Sequence, residues 1–481
     1  MNMFVALLLL YILVGTIIAY FSRKMGIKDA RDYIIAGGRV GSLVSFGTYA
    51  ATTYSAFMML GLVGLAYSTG VGALGFELLY LLVTVIILST IGFKIWRLSR
   101  EKGWITPSQM LGDIYSSRLL GILVAGLYLF TMIPYVAAQI QGLTIVFTYA
   151  GLDPVAGTLV SAAVAYLWIL FAGMWSIATT DLYQAILMLT GGLLYITQLM
   201  LPAPWLPGAS PSQAIALVGE KGYLGLTDFW TPHVFLAYTV PWIFFALTNP
   251  QVVMRLYIQR DEAAYRRSVA LFSFYGLLYT LIAVTAGLLA RGFAEAGFIP
   301  ANLKRDEVTI YLIRLFNPFV GSLIAVSIVA AAVSTVNSIV HAVASSIYRE
   351  VIGSPRRQLA LLNAVSLVII ALSSFLAYAR VAYIVDLSVM TSVYLLPLAP
   401  ITAIGLYLAR HVGSHARTAA LLSLATGETV AVASTLLNRG SRAFTSVYAG
   451  VPASLWVLTV STLVLLAGFM LDIYVSRRES R

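Results

Sequence analysis

Ala331, Ser334 and Thr335 stand at i, i+3 and i+4 of a long apolar run, so on a helix they share one face. Two hydroxyl oxygens, and a carbonyl left open beside a small side chain, then point the same way. Such oxygens suit a hard monovalent cation. It wants about five or six of them, by analogy with the oxygen-only sites of other hard cations, and neutral ligands suffice for a single charge. The competing reading is that each hydroxyl bonds back to the carbonyl one turn earlier. A source for the remaining oxygens lies in Tyr49-Ala50-Ala51-Thr52-Thr53-Tyr54-Ser55, at the centre of the apolar run 41–68. Hydroxyls and aromatics at mid-depth are costly in lipid unless they face protein or a cavity. The run therefore reads as an interrupted helix with Thr53 and Ser55 turned to a solute site. Gly61 and Gly64 just beyond it let another backbone come close.

Other chemistries lack their residues. The 481-residue chain has no cysteine, which excludes disulfides, thiolate catalysis and Cys-ligated metals. It has no H-E-x-x-H, no G-x-S-x-G and no P-loop, so no catalytic constellation of an enzyme is found. Sixty per cent of the residues are apolar and ten per cent charged, with a mean hydropathy of +0.90. That balance belongs to an all-α polytopic membrane protein whose surroundings are a lipid bilayer. The net charge of +11 is then explained by Lys and Arg gathered in cytoplasmic loops rather than by a nucleic-acid partner.

Thirteen transmembrane helices position these residues. The apolar runs are 3–21, 41–68, 74–96, 119–149, 154–175, 180–201, 233–255, 268–290, 318–348, 359–379, 382–408, 417–438 and 451–474. Residues 3–21 are long for a signal peptide and lack a small-residue cleavage site, so they read as a mature helix. With the N-terminus outside, 22 of the 30 basic residues fall in the inner segments, Arg255, Arg356 and Arg357 among them. The expectation is a multi-pass protein of the cell inner membrane with its C-terminus inside. Two outer connections, 202–232 and 292–317, are long enough to hold short helices.

A second interruption is expected in 233–255, where Pro241 and Asn249-Pro250 sit inside an apolar run. Runs 2 and 7 are five apart. Runs 2–6 (41–201) and 7–11 (233–408) can therefore be two oppositely oriented copies of one unit, with 1–40 and 417–481 as additions. Paired interruptions at matching positions are the best pointer to a transporter's binding site.

At this point the chain resembles the sodium:solute symporter family, which includes bacterial sodium/proline and sodium/galactose symporters. The resemblance rests on Gly37-Gly38-Arg39, Met59-Leu60-Gly61-Leu62-Val63-Gly64, Thr180-Asp181-Leu182-Tyr183-Gln184, Asn249-Pro250 with Arg255, and Phe316-Asn317-Pro318 leading to residues 330–335. It implies a five-plus-five inverted-repeat core of the leucine-transporter type and sodium-driven import of a small organic solute. By resemblance, sodium is held by the backbone oxygens of Ala51, Tyr54 and Ala331 and the side chains of Ser334 and Thr335. Thr53 stands where proline-transporting members have an aspartate, which leaves proton coupling as an alternative. Asp181 matches an aspartate associated with ion release. Its other reading is a carboxylate favoured by a helix N-terminus.

The resemblance also places a solute between runs 2, 4 and 7. Tyr135 and Trp242 match substrate-facing aromatics, Ala246 replaces the next one, and Gln139 is within reach of the same face. Flat aromatic walls with few polar anchors suit a small amphipathic solute, an amino acid such as proline or a monocarboxylate. A sugar symporter and a solute channel on the same fold are the other readings. Glu77 lies near a sugar-binding glutamate of the galactose symporter. Asp386, Glu428 and His341 complete the buried ionisable groups, with a structural partner expected for Glu428 and a plain helix hydrogen bond for His341.

Overall fold

The computed structural model describes residues 2–23, 29–168, 173–201, 205–352, 358–438, 440 and 442–479. Of the basic residues counted above, Lys24, Lys28, Arg356, Arg357 and Arg481 lie outside them, as does Pro202. Eight helices are long and apolar enough to cross a bilayer. They are α1 (Met3–Ser22), α3 (Gly72–Lys102), α4 (Arg118–Tyr149), α6 (Met174–Met200), α8 (Glu262–Glu295), α9 (Pro318–Val351), α12 (Ser414–Asn438) and α13 (Ala453–Arg478). Two bent pairs add α2 (Ser42–Thr53 with Phe57–Thr69) and α11 (Ile384–Leu395 with Leu398–Tyr407). The other three expected runs fall on α5 (Pro154–Leu167), the segmented α7 (Pro232–Ile243, Phe245–Thr248, Pro250–Met254) and α10 (Asn363–Ala379).

The breaks follow from local chemistry. In α2 the last helical bond is Tyr54 N–H to the Ala50 carbonyl at 2.8 Å. Tyr54 then turns extended (φ −93°, ψ 90°), and the chain restarts as a widened π-helical stretch over Phe57–Leu62, bent by 48°. In α7 the helix runs straight through Pro241 and breaks instead at Phe244 and Asn249. Asn249 is extended (ψ 121°) because Pro250 follows, and a proline excludes the helical conformation from its predecessor. The break in α11, 45° at Leu396–Pro397, was not expected from the uninterrupted run 382–408.

At the centre, α2 lies against α6, α8 and α9, while α9 also packs on α4 and α6. Ala50, Ala51, Ala330, Ala331 and Ala332 are wholly buried, and their small side chains bring α2 and α9 close. On one face the loop before α2 and the loop after α7 are stitched together. Val40 N–H donates to the Ile258 carbonyl at 2.9 Å, and Arg260 N–H to the Val40 carbonyl at 3.0 Å. Arg100 adds bonds to the carbonyls of Gln259 (3.1 Å) and Arg260 (2.7 Å). On the opposite face the two long connections each contain a short helix, Pro211–Glu220 and Val308–Leu315.

Candidate functional site

The break in α2 meets the middle of α9 in a knot of oxygens. Ser334 Oγ lies 2.9 Å from the Ala51 carbonyl and 2.9 Å from the Ala331 carbonyl. Thr335 Oγ1 lies 3.1 Å from Ala331 O, 3.3 Å from Ala51 O and 3.5 Å from Thr52 O. Both hydroxyls thus bond back along their own helix, as the competing reading held, and also reach across to α2. Five oxygens from five residues converge, all on groups buried from solvent. Thr52 joins the set through a carbonyl the sequence reading did not include. Tyr54 stands at the break itself, its ring stacked on Phe272 and Tyr275 of α8 at 5.5 and 5.9 Å.

Directly beside this knot lies a buried charge pair. Arg255, at the end of α7, is fully buried rather than a loop residue, which corrects its place in the basic tally. Its guanidinium donates to Ser338 Oγ (2.5 Å), Thr48 Oγ1 (3.2 Å), the Gln251 carbonyl (3.0 Å) and Asp181 Oδ2 (3.4 Å). Thr48 donates to the same Asp181 oxygen at 2.6 Å, and Thr52 and Ser338 bond each other at 2.9 Å. Four spans, α2, α6, α7 and α9, are latched here by hydrogen bonds to ionised groups, which are stronger than neutral ones. Asp181 is not a first-turn carboxylate: α6 starts at Met174, two turns earlier, so the helix-terminus reading fails.

On the other side of the α2 break is a packed aromatic cluster. Trp242 stacks on Phe57 at 5.0 Å and meets Tyr80 at 5.4 Å, Phe76 at 6.1 Å and Phe245 at 5.1 Å. Phe245 in turn meets Tyr135 edge-on at 6.1 Å, which joins the two aromatics named from sequence. The Trp242 indole N–H donates to Glu77 at 3.1 Å. Gln139 Oε1 accepts the Ala56 N–H at 3.1 Å and Ser55 Oγ accepts the Phe57 N–H at 3.1 Å, so both cap the restarted half of α2. Thr53 Oγ1, Tyr80 Oη and Gln139 Nε2 are buried without a hydrogen-bond partner. Such groups are costly when left alone. Sequence reasoning missed Phe57, Phe76, Tyr80 and Phe245. They lie on three different spans, and only their convergence distinguishes them from ordinary packing.

The remaining ionisable groups divide. His341, on α9, is hydrogen-bonded, but not within its own helix: its Nε2 lies 3.1 Å from the Ile34 carbonyl in the segment before α2. Asp386 accepts from Tyr238 (2.6 Å) and Arg442 (2.9 Å). Glu428 is contrary to expectation, its Oε1 buried without a partner. Outside the spans, on the face of the short helices, Asp306 lines a cavity of about 480 Å³ with Gln141, Arg380 and Arg442. Asp306 Oδ2 accepts from Gln141 (3.0 Å) and the Ile384 N–H (3.1 Å). Burial pushes its carboxyl up to about 7, aided by nearby Asp386 and opposed by those bonds and Arg305.

The model of the sodium:solute symporter family matches residues 33–427, and the chain belongs to that family. The sodium/pantothenate symporter of Escherichia coli (strain K12) is 24% identical over 311 residues, 64% of this chain and 63% of the relative. The sodium/proline symporter of Staphylococcus aureus (strain JH9) is 21% identical over 356 residues, 70% of this chain and 66% of the relative. The chain thus matches slightly less than two thirds of either relative's length. These relatives are symporters, not enzymes. Among solved structures, a Na⁺-coupled sialic acid symporter in a substrate-bound outward-open state superposes with a TM-score of 0.79 at 17% identity, covering 98% of this chain and 97% of that one. Mhp1, a nucleobase-cation-symport-1 family transporter in a closed conformation, gives 0.59 at 13% identity, with 93% and 95% covered. The fold is that of the five-plus-five inverted-repeat transporters.

Proposed function

We propose that this protein is a sodium-coupled secondary active symporter that imports a small organic solute by alternating access. The observation that carries the reading is the convergence of Ser334 and Thr335 on the Ala51 carbonyl at a helix break, beside an aromatic cluster with buried, unpartnered polar groups. Sodium would sit among Ala51, Ala331, Ser334 and Thr335, with Thr52 and Tyr54 as further backbone donors. The hydroxyls would turn their protons away and offer lone pairs to the ion. The solute would bind against Trp242 and Tyr135, with Thr53, Ser55 and Gln139 at the α2 break. An amino acid of the proline type or a monocarboxylate fits the relatives, one a proline and one a pantothenate symporter. Asp181 and Arg255 would close the exit below the ion. Repeats over 41–201 and 233–408 would move against each other, with the N-terminus outside and the C-terminus inside.

A second reading, proton coupling, is favoured by one observation. Glu77 is buried beside the Trp242 indole, and no ion pair among the described residues includes it. Uptake of radiolabelled proline and pantothenate into proteoliposomes decides. An inward sodium gradient should drive accumulation of one of them above its external level, and Trp242→Ala should weaken its apparent affinity several-fold, since an aromatic stacking partner is worth about 1 kcal/mol. Accumulation that follows a pH gradient and ignores sodium would overturn the sodium reading, and equilibration without accumulation would make the protein a channel.

A further inference from the structure

On the face of the stitched loops, the ends of four spans and a short helix, Pro107–Ile114, enclose a cavity of about 820 Å³. Lys102 ends α3, Arg118 opens α4, Arg349 and Glu350 stand in the last turn of α9, and Leu406 lies near the end of α11. Asp113 of the short helix completes the charged wall. Both acids are engaged by the protein itself. Asp113 Oδ2 accepts the Trp104 indole N–H at 2.9 Å. Glu350 lies so close to α4 that a Cβ on Gly121 would meet its Oε2 at 2.7 Å. Arg118 and Arg349 act on Glu350 from a distance. Neither they nor Lys102 enter a side-chain hydrogen bond or ion pair among the described residues. The first turn of α4, capped by Ser117, adds the positive end of a 32-residue helix. Three bases and a helix N-terminus thus share the cavity with two engaged carboxylates, and the excess charge is positive.

We propose that this cavity binds the phosphate of an anionic phospholipid headgroup, held by Lys102, Arg118 and Arg349 and so bridging α3, α4 and α9. What lies beside the cavity favours a lipid over a free anion. Val351 lines it, Leu119 and Tyr407 follow Arg118 and Leu406 in the chain, and all three are exposed. A headgroup can therefore enter from the bilayer while its acyl chains stay against those residues, as in other basic pockets between membrane helices. Arg presents a planar fork of donors to phosphate oxygens, and Lys a compact charge. A zwitterionic headgroup carries its own cation into an already basic cavity and gains less. The inference does not depend on which solute or ion the protein carries.

The test follows thermal unfolding of the full-length protein, purified in dodecyl maltoside, at constant ionic strength. It is titrated with dioctanoyl phosphatidylglycerol, dioctanoyl phosphatidylcholine or inorganic phosphate. Phosphatidylglycerol should raise the unfolding temperature saturably, at a half-maximal concentration about 10-fold below that of phosphatidylcholine. The double variant Arg118→Gln with Arg349→Gln should raise that concentration about 10-fold. A control double, Arg97→Gln with Arg266→Gln, removes the same charge from exposed surface pairs and should change it by less than about 2-fold. Glu350→Gln takes a negative charge out of the cavity and should shift it the other way, towards tighter binding. Should the cavity double fail to fold, Lys102→Gln, at an exposed position, reads the same loss at about 3-fold. Equal half-maximal concentrations for the two lipids overturn the proposal, as does an equal loss in the control and cavity variants. Inorganic phosphate that matches phosphatidylglycerol and suffers the same loss in the cavity variants overturns the lipid assignment, and makes the site one for a soluble phosphate.

Discussion

Replacing Ser334 by alanine isolates one oxygen of the proposed ion site. The variant loses the hydroxyl 2.9 Å from both the Ala51 and Ala331 carbonyls and almost no volume. As a neutral hydrogen bond that hydroxyl is worth about 1 kcal/mol to the fold, so the protein should remain folded in potassium. As a contact to a charged ligand it is worth about 1.5–3 kcal/mol, roughly a 10- to 100-fold loss of sodium affinity. The assay is thermal unfolding of the purified protein against sodium chloride, with potassium chloride holding ionic strength constant, so that no solute need be known. At a sodium concentration 100 times its dissociation constant, the wild-type protein gains about 2.7 kcal/mol; a site weakened 30-fold gains only about 0.9 kcal/mol at the same concentration. Thr335→Ala should behave alike, and the double variant should depart from additivity because the two hydroxyls share the Ala331 and Ala51 carbonyls. Sodium stabilisation that is the same in the double variant as in the wild type would refute the placement of the ion.

Three further outcomes are expected. Arg255→Met leaves Asp181 buried without its countercharge and should cost about 3–5 kcal/mol in denaturant unfolding, much of it regained when Asp181→Leu is added; equal stability of the single and double variants would contradict the latch. Asp306, whose folded carboxyl is raised to about 7 against an ordinary 3.8, is held protonated by the fold, so native protein binds the extra proton between these values and stability falls as pH rises through them. Asp306→Asn cannot ionise and should melt with a flatter pH profile from pH 5 to 8, which parallel profiles would disprove. Gly64→Ala would drive a Cβ into the Arg305 carbonyl and should lower the melting temperature by several degrees, whereas a neutral result would mean that α2 can shift away from that segment.

What the sequence revealed was what is local. The face shared by Ala331, Ser334 and Thr335 depends only on helical periodicity, and the break before Pro250 only on proline's geometry. The break at Tyr54 was visible because hydroxyls and aromatics crowd a stretch that lipid alone would not accept. Contacts between distant segments were not visible. Arg255 closes the run 233–255 and stands with Asn249-Pro250, but its partners Thr48, Asp181 and Ser338 are 207, 74 and 83 residues away, so nothing local announces them. Glu77 stood out as a buried acid, but its bond to Trp242 spans 165 residues and no periodicity announces it. The bend at Leu396–Pro397 went unseen because every neighbour is apolar, so nothing marked that proline as different from one a helix tolerates, as α7 tolerates Pro241.

The Arg255–Asp181 pair gives the molecule a built-in response to heat. Both groups are dry in this arrangement. Any motion that parts α2 from α6 and α9 must admit water to them. Hydrating charged groups orders water and carries a strongly negative entropy, so the hydration gained on opening is worth less as temperature rises. Warming therefore favours the latched arrangement at this point, even as it loosens apolar contacts elsewhere. An opening step limited by this pair would show an unusually small enthalpic barrier and an unfavourable entropy of activation, a signature that is carried by two side chains rather than by the bundle as a whole.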